Sequence, residues 1–152
     1  MNAECVTTKD KIECVWQYSR YYGDMLFTSL RLYDSGEGYS ATAILFNAVE
    51  LIFKSFRENY EENFNQDIAA LTEAGVLTAD EKDFFDSPQY GIRKIRNIMT
   101  HREAYQYCLE DSNGKALPFI EADTWMLLYE NYAERIIDIL YNALIRSKFL
   151  DF

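Results

Sequence analysis

Apolar residues recur at steps of three and four along most of the chain, and no stretch alternates long enough to mark a strand. The spacing predicts a first helix over residues 9–33, with Ile12, Val15, Trp16, Tyr22, Met25, Leu26 and Leu30 on its apolar side. Gly23 inside it marks a kink or a close packing contact. The run Asp-Ser-Gly-Glu-Gly at 34–38 reads as a turn. A second helix follows over residues 39–60, with Ile44, Leu45, Ala48, Leu51, Ile52 and Phe56 in one broad stripe. Lys54 and Arg57 lie toward its C-terminal end, where cations suit the helix dipole.

The middle of the chain is more punctuated. Residues 65–74 read as a short helix ended by Gly75. Thr78 and Glu81 form a capping box that opens another short helix through Phe85. Ser87-Pro88 then reads as a cap followed by a first-turn proline, opening a helix through about Tyr107. Residues 111–118 read as a loop. The last helix spans residues 123–149, and its stripe of Trp125, Leu128, Tyr129, Tyr132, Ile136, Ile139, Leu140, Ala143 and Leu144 holds helical spacing throughout. A helix of that length with one apolar side needs partners along it. The pattern therefore predicts an all-α, up-and-down bundle of four to five main helices in one domain, residues 1–152.

Composition narrows the class. At 152 residues and 49% hydrophobic, the chain is long and apolar enough to bury a core. Its apolar runs fall far short of the roughly 20 residues that span a bilayer, and its N-terminus lacks a basic-then-apolar leader. The expected location is cytoplasmic, with no membrane partner. Three cysteines, Cys5, Cys14 and Cys108, carry no metal-ligand spacing, so reduced thiols are expected and no metal or cofactor. A formal charge of −10 excludes loose electrostatic attraction to nucleic acid, though not a local basic site.

Such a site is visible. The single histidine, His101, ends a run in which Arg93, Lys94, Arg96 and Arg102 reverse the local sign of charge. On a helix at roughly 100° per residue, Arg93, Arg96, Asn97, Thr100 and His101 share a polar face roughly 140° wide. Ile92, Ile95, Ile98 and Met99 fall on the other side and anchor the helix. Arg96 and His101 are five apart and flank the face without stacking. Either a ligand sits between them, or two copies of the pair converge across a dimer axis. Histidine is suited to proton transfer near neutral pH, and arginine to holding phosphate. A solvated polar face with an incidental histidine is the plainer alternative.

The stretch Arg96-Asn97-Ile98-Met99-Thr100-His101 resembles the Arg-x4-His motif of the HEPN superfamily, in which Asn often follows the Arg. A second segment, Phe46-Asn-Ala-Val-Glu50-Leu-Ile-Phe-Lys54, is similar to the second helix of toxin-like members. The resemblance covers most of the chain and implies a HEPN-like bundle that dimerises with its motifs facing each other. It also implies metal-independent endoribonuclease activity on an RNA substrate. Arg96 and His101 would be the catalytic pair, Asn97 a polar helper and Glu50 an acidic group that orients them. Arg93, Lys94, Thr100 and Arg102 are expected to bind substrate. Glu50 and Lys54, four apart, equally fit a helix-supporting ion pair. The setting implied is toxin–antitoxin or phage defence, with an antitoxin or nucleotidyltransferase as partner. The alternative is a non-catalytic HEPN-like module that binds a nucleotide or protein. Glu103 stands where the branch paired with nucleotidyltransferases often has Tyr, which leaves the branch open.

Overall fold

A computed structural model of the chain describes residues 6–87, 91–100 and 106–149. Within them lie seven helices and one small hairpin. The helices are α1 (Thr8–Tyr18), α2 (Arg20–Asp34), α3 (Gly38–Arg57), α4 (Phe64–Glu73), α5 (Ala79–Asp86), α6 (Ile92–Met99) and α7 (Ala122–Phe149). The hairpin, β1 (Cys108–Glu110) and β2 (Ala116–Pro118), lies between α6 and α7. Among the described residues no helix is long and apolar enough to cross a membrane.

The four long helices close a ring: α1 packs on α2, α2 on α3, α3 on α7 and α7 on α1. The apolar stripes predicted for α3 and α7 face each other, with Leu45, Ile52, Ile136, Ile139 and Leu140 almost fully buried. Their burial is the main force holding the ring, at roughly 25 cal/mol for each Å² of apolar surface removed from water. The short helices α4, α5 and α6 pack in succession, α4 on α3, α5 on α4 and α6 on α5. Aromatic ring contacts tie this layer down. Phe53 of α3 meets Phe64 at 5.8 Å and Phe85 at 5.3 Å between ring centroids.

The first predicted helix is in fact two. Ser19 leaves helical geometry (φ −149°, ψ 115°), its N–H capping α1 through the Val15 carbonyl and its hydroxyl accepting from Tyr22 N–H at the start of α2. Helical spacing continues on both sides of the break, so periodicity alone does not reveal it. Gly23 is the close contact expected. A Cβ there would lie 2.4 Å from the Trp16 Cβ and 2.5 Å from its Cα. Backbone on that side cannot yield as a flexible side chain can. Gly23→Ala is therefore expected to cost about 1–3 kcal/mol by overpacking. In urea the midpoint should fall with the slope unchanged. An unshifted midpoint would mean that α1 and α2 do not meet as described.

Three other expectations are corrected. Ser87 caps the C-terminus of α5, and Gly91 is the N-cap of α6. The helix expected through Tyr107 runs only through Met99 among the described residues, with Thr100 as its C-cap. Segment 111–118, expected as a loop, forms with residues 108–110 an antiparallel hairpin in which Leu109 pairs with Leu117. Its turn is held by the Asp111 carboxylate, which accepts from the N–H groups of Asn113 and Lys115, with Gly114 at φ 79°. The capping boxes are as expected or better: Thr78 with Glu81, and also Asn63 with Gln66. Gly75, at φ 81°, ends α4 as predicted.

Candidate active site

The candidate residues lie on α3 and α6, and the packing explains why they meet. Ile92, Ile95 and Met99 are buried, and Ile98 packs partly against the core. That orientation leaves Asn97 and Thr100 exposed and Arg93 and Arg96 half-buried, as the helical wheel predicts. The helix begins tight against α5. Gly91 N–H donates to the Ser87 carbonyl at 2.9 Å, and a Cβ on Gly91 would come within 2.6 Å of Ser87 backbone atoms.

Arg96 reaches across to α3 and pairs with Glu50 through a guanidinium nitrogen. The two side chains are 28% and 18% exposed, so the pair is shielded yet open on one side. The guanidinium also lies 5.9 Å from the centroid of the Phe64 ring at the start of α4. An aromatic face on one side and a carboxylate on another restrict the arginine without covering it. Beyond Glu50 lies Lys54, its Nζ 4.0 Å from the same carboxylate. The i,i+4 pair expected from the sequence is thus present, but Glu50 has a second cation.

The rest of the predicted basic run is partly neutralised. Arg93 donates from Nε to Asp86 at 2.6 Å. Lys94 is exposed and on the outer side of α6. Thr100 turns its hydroxyl back to the carbonyls of Asn97 (3.2 Å) and Arg96 (3.4 Å), closing the last turn of the helix. His101 and Arg102 lie outside the described residues. Tyr39 approaches from the start of α3, with its hydroxyl 3.5 Å from the Met99 carbonyl and its ring edge-on to Trp125.

Four contributors escaped the sequence reading: Asp67, Phe64, Asp86 and Tyr39. Asp67 is the most telling. It is fully buried, accepting from Lys54 at 2.6 Å on one oxygen and from Arg57 at 2.8 Å on the other. Arg57 also holds Glu62 at 2.9 Å. Its guanidinium pKa is raised, first by the hydrogen bond to Asp67. The only advance signal was an acidic residue in the first turn of a short helix, which usually means no more than a dipole match.

Elsewhere, a cavity of about 650 Å³ opens between α1, α2 and α7, walled by Phe27, Leu30, Tyr33, Tyr129, Ala133 and Ile137. Tyr33 and Tyr129 stack at 4.8 Å. The Tyr33 phenol donates to Glu130, and its pKa is pushed up to about 12, first by that hydrogen bond and then by burial. Among the described residues no three His, Cys, Asp or Glu side chains gather in a way that would hold a metal ion. Of the cysteines, Cys14 is half-buried and Cys108 exposed, both as free thiols, and Cys5 lies outside the described residues.

Compared with known protein families, with curated proteins and with solved structures, the chain matches none.

Proposed function

We propose that the chain is a HEPN-type endoribonuclease that needs no metal and works as a homodimer in toxin–antitoxin or phage defence. The observation that carries this reading is the Arg96–Glu50 pair. It joins the two separate stretches, on α3 and α6, that carry the resemblance. Their meeting in space was no consequence of helical periodicity in either one.

The chemistry fits the groups at hand. RNA supplies its own nucleophile, the 2′-hydroxyl. Arg96 has five N–H donors on a planar fork. Glu50 occupies one edge and leaves the other to a phosphate, whose oxygens gain charge as the 2′-oxygen attacks. His101 accepts the 2′ proton or protonates the departing 5′-oxygen. One histidine per chain does not fill both roles at once, so the second falls to the partner chain's copy, to water or to the substrate itself. Products are then a 2′,3′-cyclic phosphate and a 5′-hydroxyl.

A second reading, a non-catalytic HEPN-like module for nucleotide or protein, is favoured by one specific observation. Arg93 and Arg96, two cations expected for phosphate, are engaged by Asp86 and Glu50 in a chain of net charge −10. Purified protein incubated with cellular RNA or tRNA separates the two. The nuclease reading expects cleavage with and without EDTA, lost in Arg96→Ala and in His101→Ala. Equal cleavage by all three proteins, or none by the unaltered one, would overturn it.

A further inference from the structure

Glu50 belongs to a chain of charges that runs from the buried base of α4 to the edge of the candidate site. Asp67 takes Lys54 and Arg57, Arg57 takes Glu62, and Lys54 faces Glu50, which takes Arg96. These three cations and three carboxylates cancel. Arg96 is the member at the site. Lys54 Nζ has two strong contacts, the Asp67 carboxylate at 2.6 Å and the Glu62 carbonyl at 2.5 Å. Its distance to Glu50 is 4.0 Å, beyond a hydrogen bond. Asp67 and the Glu62 carbonyl therefore hold the ammonium back from Glu50 and largely spend its charge. Glu50 is left to Arg96.

We propose that Asp67 is a positioning residue for Arg96, acting through Lys54 and Glu50. This rests on the nuclease reading for its consequence in catalysis, though not for its geometry. With Asn in place of Asp67, the Lys54 amine loses its carboxylate partner in a site only 8% exposed, where Coulomb attraction is strong. The nearest remaining carboxylate is Glu50. The lysine draws Glu50 toward itself, the guanidinium loses its anchor, and the site becomes more positive. Phosphate is then bound as well or better but held in the wrong place. The sign differs for Lys54→Met, which leaves Glu50 to Arg96 alone and makes the site less positive.

The experiment has two readouts. The first is the Arg96 guanidinium Nε–H resonance, assigned by its loss in Arg96→Lys. It should move in the same direction in Asp67→Asn and Glu50→Gln, and in the opposite direction in Lys54→Met. The second is cleavage of a short RNA. Asp67→Asn should lower kcat on the order of 10- to 100-fold, the scale of a misplacement near 1 Å. KM should be unchanged or lower. In a Glu50→Gln background the same change should add less than about twofold, since contacts in one network do not add. A merely structural Asp67 would leave the guanidinium signal in place in the folded variant, or cost as much in either background; each result overturns the proposal. If Asp67→Asn does not fold, an unmoved signal in Lys54→Met overturns it. If the unaltered chain cleaves no RNA, the nuclease reading fails alone, and the resonance decides the positioning role.

Discussion

Asp67→Ala should destabilise the protein by about 3–5 kcal/mol, because it strands charge in a place that water does not reach. Asp67 is fully buried, and Lys54 nearly so. Removing the carboxylate leaves the lysine with a carbonyl and a distant Glu50, while Arg57 falls back on Glu62. The cost comes from the orphaned cation more than from any net gain of the pair, since two charges taken out of water repay little when they meet. Replacing both partners, Lys54→Met with Asp67→Leu, should therefore cost much less than the sum of the two single changes. Thermal or urea unfolding of the four proteins measures this. Equal, additive losses would mean that the pair is not buried as described. The loss is large against the roughly 5–15 kcal/mol that holds a typical domain together.

Arg96→Lys should lower RNA cleavage on the order of 100- to 1000-fold while leaving the protein folded, the range seen when one donor to a developing anion is lost. Charge is kept, so this change separates geometry from electrostatics. A guanidinium can offer one edge to Glu50 and another to phosphate, beside the Phe64 ring. An ammonium is a point charge, and with Glu50 close by it satisfies the carboxylate first. Binding of uncleavable RNA should change little and keep its salt dependence, because the number of cations is the same. The measurement is kcat and KM on one RNA for both proteins. Equal kcat would show that Arg96 contributes only charge.

Much of this was open to sequence reading, for identifiable reasons. Helices α3 and α7 each carry an unbroken apolar stripe, and the capping box at Thr78 and Glu81 marks the start of α5 by side-chain chemistry alone. The polar and apolar sides of α6 followed from its spacing. Other features have no such signature. The break at Ser19 lies in backbone torsion between two segments of matching period, and a lone Ser, though a favoured N-cap, does not by itself end a helix. The strands Cys108–Glu110 and Ala116–Pro118 are three residues each, too short for alternation to register.

The site divides the same way. Arg96 and Glu50 each stood out in their own segment, through a motif and a helix match. Asp67 did not, because its meaning depends on Lys54 and Arg57, which belong to a different helix. A buried carboxylate reads in sequence like a surface one. What distinguishes it is the set of cations around it, and that set is assembled only by folding.

The nuclease reading assigns Arg96 and His101 as a pair that uses the 2′-hydroxyl of RNA. Its most direct test is the chemistry of the cut ends, read on a labelled RNA incubated in EDTA with the unaltered protein and with His101→Ala. The expected fragments end in a 2′,3′-cyclic phosphate beside a 5′-hydroxyl and come from the unaltered protein alone. Ends carrying 3′-hydroxyl and 5′-phosphate, or the same fragments from His101→Ala, would contradict it.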